Sequence, residues 1–167
     1  MRLGLDDHLC DRRAAGEGDT RWFLGGGLHT WKLLTEDTGG AFFLFEDVMT
    51  RAKTTPLHLH PEGDEVVYVL EGEIVSNIDG VEHRVGVGGM TFTPHGTPHA
   101  FLVVSDTARL LTMQTPGSGQ AFYRGASDAA SDDTSDRVDF ARVQASAKEN
   151  GGIEILGPSP FAALEVG

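Results

Sequence analysis

Two short stretches concentrate the residues that can do chemistry. One reads Leu57-His58-Leu59-His60-Pro61-Glu62-Gly63-Asp64-Glu65; the other runs from Gly88 to His99 and ends Pro94-His95-Gly96-Thr97-Pro98-His99. Three imidazoles (His58, His60, His99) and one carboxylate (Glu65) are enough to hold a divalent first-row metal and leave coordination positions open. Neutral imidazole and ionised carboxylate are both competent ligands near neutral pH. Metal-dependent chemistry is therefore the first function class the sequence suggests.

Strands would have to position these groups. Side chains at i and i+2 of a strand share a face, with Cα atoms roughly 6.5–7 Å apart. His58 and His60 can thus reach one ion from one strand, while Leu57 and Leu59 face away. Pro61-Glu62-Gly63-Asp64 is a turn by composition. Glu65 opens the next strand and can return over the same ion. His99 arrives from a second hairpin whose turn is Pro94-His95-Gly96-Thr97-Pro98.

The chain resembles the cupin superfamily and, within it, the single-domain, quercetin-dioxygenase-like cupins of the cupin 2 type. The first cupin motif places Gly, His-x-His, Glu and Gly at spacings that His58, His60, Glu65 and Gly72 match, with Ala52 at the leading Gly. The second is met by Gly88, Pro94, Gly96 and His99, with Val103 where Asn is expected. The resemblance implies an all-β fold: a single cupin barrel, a double-stranded β-helix or jelly roll. It implies one divalent first-row transition metal (Fe, Mn, Ni, Co, Cu or Zn) held by His58, His60, Glu65 and His99, with Glu65 as both ligand and catalytic base. The implied activity is that of a dioxygenase cleaving a flavonol-like or other chelating aromatic or enolic substrate with O2. The alternatives are a non-oxidative isomerase, cyclase or dehydratase of a small polyketide- or sugar-derived molecule, and then a ligand-binding cupin without turnover.

Strand parity extends the site. If Glu65 faces the metal, Val67 and Val69 follow it inward; if His99 does, so do Phe101 and Val103. Val67, Phe101 and Val103 would then form an apolar wall for a hydrophobic or aromatic substrate. The register of Ala41–Val48 is open between Phe43 with Phe45 and Phe42 with Leu44, and that of Leu110–Thr115 is open too. The motif strands bring no Arg or Lys toward the metal, which disfavours a phosphorylated or strongly anionic substrate. His95 and His83 belong to the surface, His8 and His29 carry no spacing signal, and Trp22 and Trp31 suit packing.

The remaining sequence frames this site. The chain has 167 residues, 40% of them hydrophobic, enough for one domain with a core. Residues 1–20 form a polar arm, 21–125 the barrel, and 126–167 an acidic linker with a C-terminal helix and tail. Short runs separated by Gly, Pro, Asp and Asn predict strands at Leu28–Leu34, Ala41–Val48, Thr54–His60, Glu65–Leu70, Glu73–Ile78, Val81–Val85, Thr91–Thr93, His99–Val104, Leu110–Thr115 and Ala121–Tyr123. Asp79-Gly80 predicts a hairpin turn. Ser135 caps a predicted helix from Asp136 to Glu149 that stops at Asn150-Gly151-Gly152.

A net charge of −12 argues against nucleic acid as a partner. Five Asp and one Arg give the segment from Ser127 to Asp139 a net −4. The single Cys10 offers no disulfide framework. Without an apolar leader or a long apolar run the reading is cytoplasmic and not membrane-bound. The outer face carrying Val66, Tyr68 and Leu70 is compatible with a homodimer and equally with two sheets packed within one chain.

Overall fold

The computed structural model describes residues 12–131 and 137–161. Among these residues twelve strands and two α-helices follow in chain order: β1 (Asp19–Phe23), β2 (Gly27–Leu33), β3 (Phe43–Thr50), β4 (Leu57–Leu59), β5 (Asp64–Glu71), β6 (Glu73–Ile78), β7 (Val81–Gly86), β8 (Met90–Thr93), β9 (His99–Val103), β10 (Thr107–Thr115), α1 (Gln120–Gly125), β11 (Ser127–Ala129), α2 (Phe140–Asn150) and β12 (Glu154–Gly157). The strands make two antiparallel sheets. One has seven strands in the order β11-β1-β2-β3-β10-β5-β8; the other has five, β12-β4-β9-β6-β7. This is the all-β jelly-roll barrel expected from the motifs, with a helix near the C-terminus.

Alternation along three neighbouring strands sets the inward face. Phe43, Phe45, Asp47 and Met49 are buried on β3; Glu65, Val67 and Val69 on β5; Ala108, Leu110, Thr112 and Gln114 on β10. Register then stacks these positions in rows. Gln114 pairs with both Phe43 and Glu65, Thr112 with Phe45 and Val67, and Leu110 with Asp47 and Val69. Two apolar clusters fill the space between the sheets. One is aromatic, built on Trp31, Phe43, Phe45, Phe122 and Tyr123; the other is aliphatic, built on Val69, Ile74, Val103 and Leu110.

Local readings fail at several places, each for a physical reason. Ala121–Tyr123 is not a strand but the middle of α1, because an apolar run this short does not distinguish the two periods. Its Phe122 carbonyl accepts a hydrogen bond from Ser146 Oγ of α2 at 2.8 Å, so the helix is fixed by tertiary contact. The predicted strand Thr54–His60 contracts to Leu57–Leu59, and Thr54 retains one isolated bridge to Leu102. Strands β1, β11 and β12 have too few apolar residues to signal themselves. Helix α2 begins at Phe140 on an Asp139 cap that accepts from the Arg142 N–H. The predicted cap Ser135 and start Asp136 lie outside the described residues, whereas the stop at Gly151 is where the sequence places it.

Four motif positions adopt left-handed backbone: Ala52 at φ 67°, Gly72 at 77°, Gly88 at 81° and Gly96 at 70°. A glycine is free there, and alanine is not. A Cβ on Gly72 would stand 2.2 Å from the Thr107 carbonyl oxygen, so the turn after β5 admits no other residue.

Candidate metal centre

β4 and β9 lie side by side with His58 opposite His99, and His60 follows at the end of β4. Their ligand-capable nitrogens come within 4.8 Å of one another. Glu65 reaches the group from the other sheet: its Oε2 is 3.2 Å from His60 Nε2 and its Oε1 3.4 Å from His99 Nε2. All four residues are buried.

Backbone carbonyls set the ring orientations. His58 Nδ1 lies 2.8 Å from the Pro56 oxygen, His60 Nδ1 2.8 Å from that of Gly152, and His99 Nδ1 2.9 Å from that of Thr97. A carbonyl only accepts, so each Nδ1 carries the proton and each Nε2 presents a lone pair. Three lone pairs and a carboxylate then converge, and His99 Nε2 is buried with no hydrogen-bond partner. Acceptors so gathered can hold a cation, and carbonyls that fix imidazole tautomers are the usual support of a metal site. The residues present fit a divalent first-row ion.

The electrostatics keep His58 neutral and Glu65 ionised. Burial, followed by the neighbouring His99 and His60, drives His58 down to about 3. Burial works to raise Glu65, but the His60 and His99 rings that face it outweigh burial and hold the carboxyl well below its usual range. For His99 burial acts downward, and Glu65 reverses it to leave the ring raised.

The site includes residues that motif spacing does not name. Gln114 donates from Nε2 to Glu65 Oε2 at 2.7 Å and to the Tyr123 hydroxyl at 2.9 Å, and the same nitrogen is 2.9 Å from His60 Nε2. Burial and the nearby Glu65 and Asp47 carboxylates keep the Tyr123 phenol raised well above its usual value, hence neutral. Gln114 is a polar residue at an inward position of an alternating strand, which is the one sequence signal that could have found it.

A narrow cleft of about 70 Å³ ends on His58 and Glu65. Aromatic and aliphatic side chains line it, among them Phe45, Phe101, Phe122 and Val67, while α2 contributes Phe140 and Val143. Val67 and Phe101 therefore stand where strand parity puts them. Val103 also faces inward, but it sits in the aliphatic cluster at 1% exposure, away from the cleft lining. The open register resolves in favour of Phe43 and Phe45 as the inward pair. His29 and Lys53 also line the cleft, neither of them on a motif strand. Lys53 was hidden because it projects from a turn and not from a motif strand. His83 is exposed, and exposed His95 pairs with Asp64 at 2.9 Å.

Residues 44–113 match the Cupin domain family. Quercetin 2,3-dioxygenase of Bacillus subtilis (strain 168) is 27% identical over 114 residues, 68% of this chain and 34% of that enzyme. The chain thus matches about a third of that relative's length. The polyketide cyclase RemF from Streptomyces resistomycificus superposes with a TM-score of 0.56 at 26% identity, over 64% of this chain and 79% of the other. KdgF from Halomonas sp. shares the fold at 18% identity, with a TM-score of 0.58 over 64% of this chain and 94% of that one. No described helix is long and apolar enough to cross a membrane. Both motif stretches, the two-sheet barrel and these matches agree: residues 44–113 form a cupin domain.

Proposed function

We propose that this chain is a metal-dependent dioxygenase that cleaves a chelating, flavonol-like or other enolic aromatic substrate with O2. The observation that carries the reading is the aromatic cleft ending on His58 and Glu65. A planar substrate entering between Phe45 and Phe101 would present its paired oxygens to the ligand set. A bound first-row ion supplies open coordination positions, Lewis acidity and, for a redox-capable metal, reactivity toward O2. Glu65 takes the proton of the substrate hydroxyl on Oε1. That oxygen is the freer of the two, because Oε2 already accepts from Gln114. Gln114 and the neutral Tyr123 keep the carboxylate aimed during this transfer, and the apolar lining excludes water. Similarity to quercetin 2,3-dioxygenase supports this reading.

A second reading keeps the metal and omits O2: isomerisation, cyclisation or dehydration of a polyketide-like molecule. The His29–Asp47 pair in the cleft favours it, since a second base suits enolisation, and similarity to a polyketide cyclase points the same way.

Oxygen uptake separates the two. Protein purified anaerobically and reconstituted separately with Fe, Mn, Ni, Co, Cu or Zn is given quercetin. Uptake stoichiometric with flavonol loss, in redox-capable forms only, supports the dioxygenase. No uptake despite full loading rejects the flavonol assignment and leaves the non-oxidative enzyme.

A further inference from the structure

The cleft carries a second set of ionisable side chains away from the metal ligands. His29 on β2 and Asp47 on β3 are cross-strand partners, with Nε2 of one 3.2 Å from Oδ2 of the other. Phe23 and Phe45 stack on the imidazole at centroid distances of 4.8 and 4.4 Å, so the ring is held between them. His29 Nδ1 and Asp47 Oδ1 are left buried with no hydrogen-bond partner. Unpaired polar atoms in a buried wall are costly, and few are retained without a role.

Lys53 shares this lining. Its Nζ lies 3.5 Å from where a Cβ on Gly26 would stand, and Asp47 Oδ1 lies 2.6 Å from the same point on Gly27, so both approach one pair of glycines. Among the described residues Lys53 has no ion-pair partner. Burial draws its ammonium down to about 8, with Asp47 acting in the opposite sense. Along the sheet, Asp47 pairs with Leu110 and Leu110 with Val69, four positions beyond Glu65. Two groups so placed are roughly 13 Å apart along the strand, the length of a fused two- or three-ring molecule.

We propose that His29, Asp47 and Lys53 form a second, metal-independent subsite that binds a phenolic or enolic hydroxyl at the far end of a polycyclic aromatic substrate and accepts its proton. The O–H bond breaks and its proton passes to His29 Nδ1, while Nε2–H continues to donate to Asp47 Oδ2. The electron pair stays on the substrate oxygen as an oxyanion facing the Lys53 ammonium. Imidazolium with carboxylate and ammonium with oxyanion leave the net charge of the wall unchanged. The inference rests on reading the cleft as the substrate site, and not on oxygen chemistry.

The test uses two non-chelating probes, 2-naphthol and its methyl ether 2-methoxynaphthalene. Both are titrated by fluorescence into the full chain, metal-loaded and after chelator dialysis. The expected result is naphthol binding roughly tenfold tighter than the ether in both forms, with its absorption band moved toward that of naphtholate. Lys53→Met and Asp47→Asn should each cut the preference to under about threefold, remove the band shift, and leave ether binding unchanged. Equal affinities, no naphthol binding, or a preference that survives Lys53→Met would overturn the proposal. Lys53 projects from a turn, so Lys53→Met decides alone if Asp47→Asn does not fold. A naphthol preference without flavonol oxidation removes the dioxygenase and keeps the subsite; oxidation without the preference does the reverse.

Discussion

The Nδ1 atom of His60 rests 2.8 Å from the carbonyl oxygen of Gly152, so the last strand's approach segment orients a ligand 92 residues upstream. Gly152 has φ 79°, and a Cβ on it would stand 2.8 Å from the Gly119 Cα; Gly151 has φ 65° with open space around it. Gly152→Ala should therefore displace the carbonyl and weaken metal binding by about 10–100-fold. Gly151→Ala carries the backbone strain without the clash. It should cost roughly 1 kcal/mol of stability and spare the metal. Chelator competition and urea unfolding on both variants distinguish the two effects.

His58→Ala and His99→Ala should lose the metal, because each removes a nitrogen from the convergent set. Glu65→Ala should lose turnover in larger proportion than metal content. Equal metal loss in all three, by elemental analysis, would remove the case for Glu65 as a base.

Gln114→Met preserves the length of the side chain and deletes both of its donated hydrogen bonds. Glu65 Oε2 and the Tyr123 hydroxyl then lose that partner in a buried space. Stability should fall by roughly 1–3 kcal/mol, measured by urea unfolding of metal-free protein.

Ala52 holds a left-handed φ of 67° where the cupin motif has glycine. Ala52→Gly should relieve that strain, and the greater freedom of the unfolded chain offsets part of the gain. A net stabilisation of roughly 0.5–1 kcal/mol is expected, seen as a higher denaturation midpoint at unchanged slope.

Lys53 is lowered from 10.5 to about 8 in the folded chain. Below that pH the folded state carries an ammonium that burial disfavours; above it the folded chain has shed the proton while the unfolded chain still holds it. Stability should therefore rise with pH from about 8 toward 10.5. The rise should be at most about 3 kcal/mol, less what solvent screens. Lys53→Met should flatten it, and a variant that keeps the same slope would refute the assignment.

His58, His60, Glu65 and His99 were legible because spacing within one strand or hairpin decides which face a side chain takes. Gln114, His29 and Asp47 were not. They join the site through pairings of β3 with β10, of β10 with β5 and of β2 with β3, whose registers no local pattern states. Val103 shows the limit of parity, which gives the face of the sheet but not the depth within the barrel. The Gly152 contact lay further still from view, being a main-chain carbonyl that any residue type could offer.

The candidate ligands are divided between the sheets: His58, His60 and His99 with the five-stranded one, Glu65 with the seven-stranded one. An ion bound there is a cross-link through the middle of the barrel, in a chain whose one cysteine can form no internal disulfide. Loading would then act on the whole barrel as well as on its chemistry. Amides of β5 and β10, which flank Glu65 and Gln114, would exchange with solvent more slowly once the two halves are riveted together.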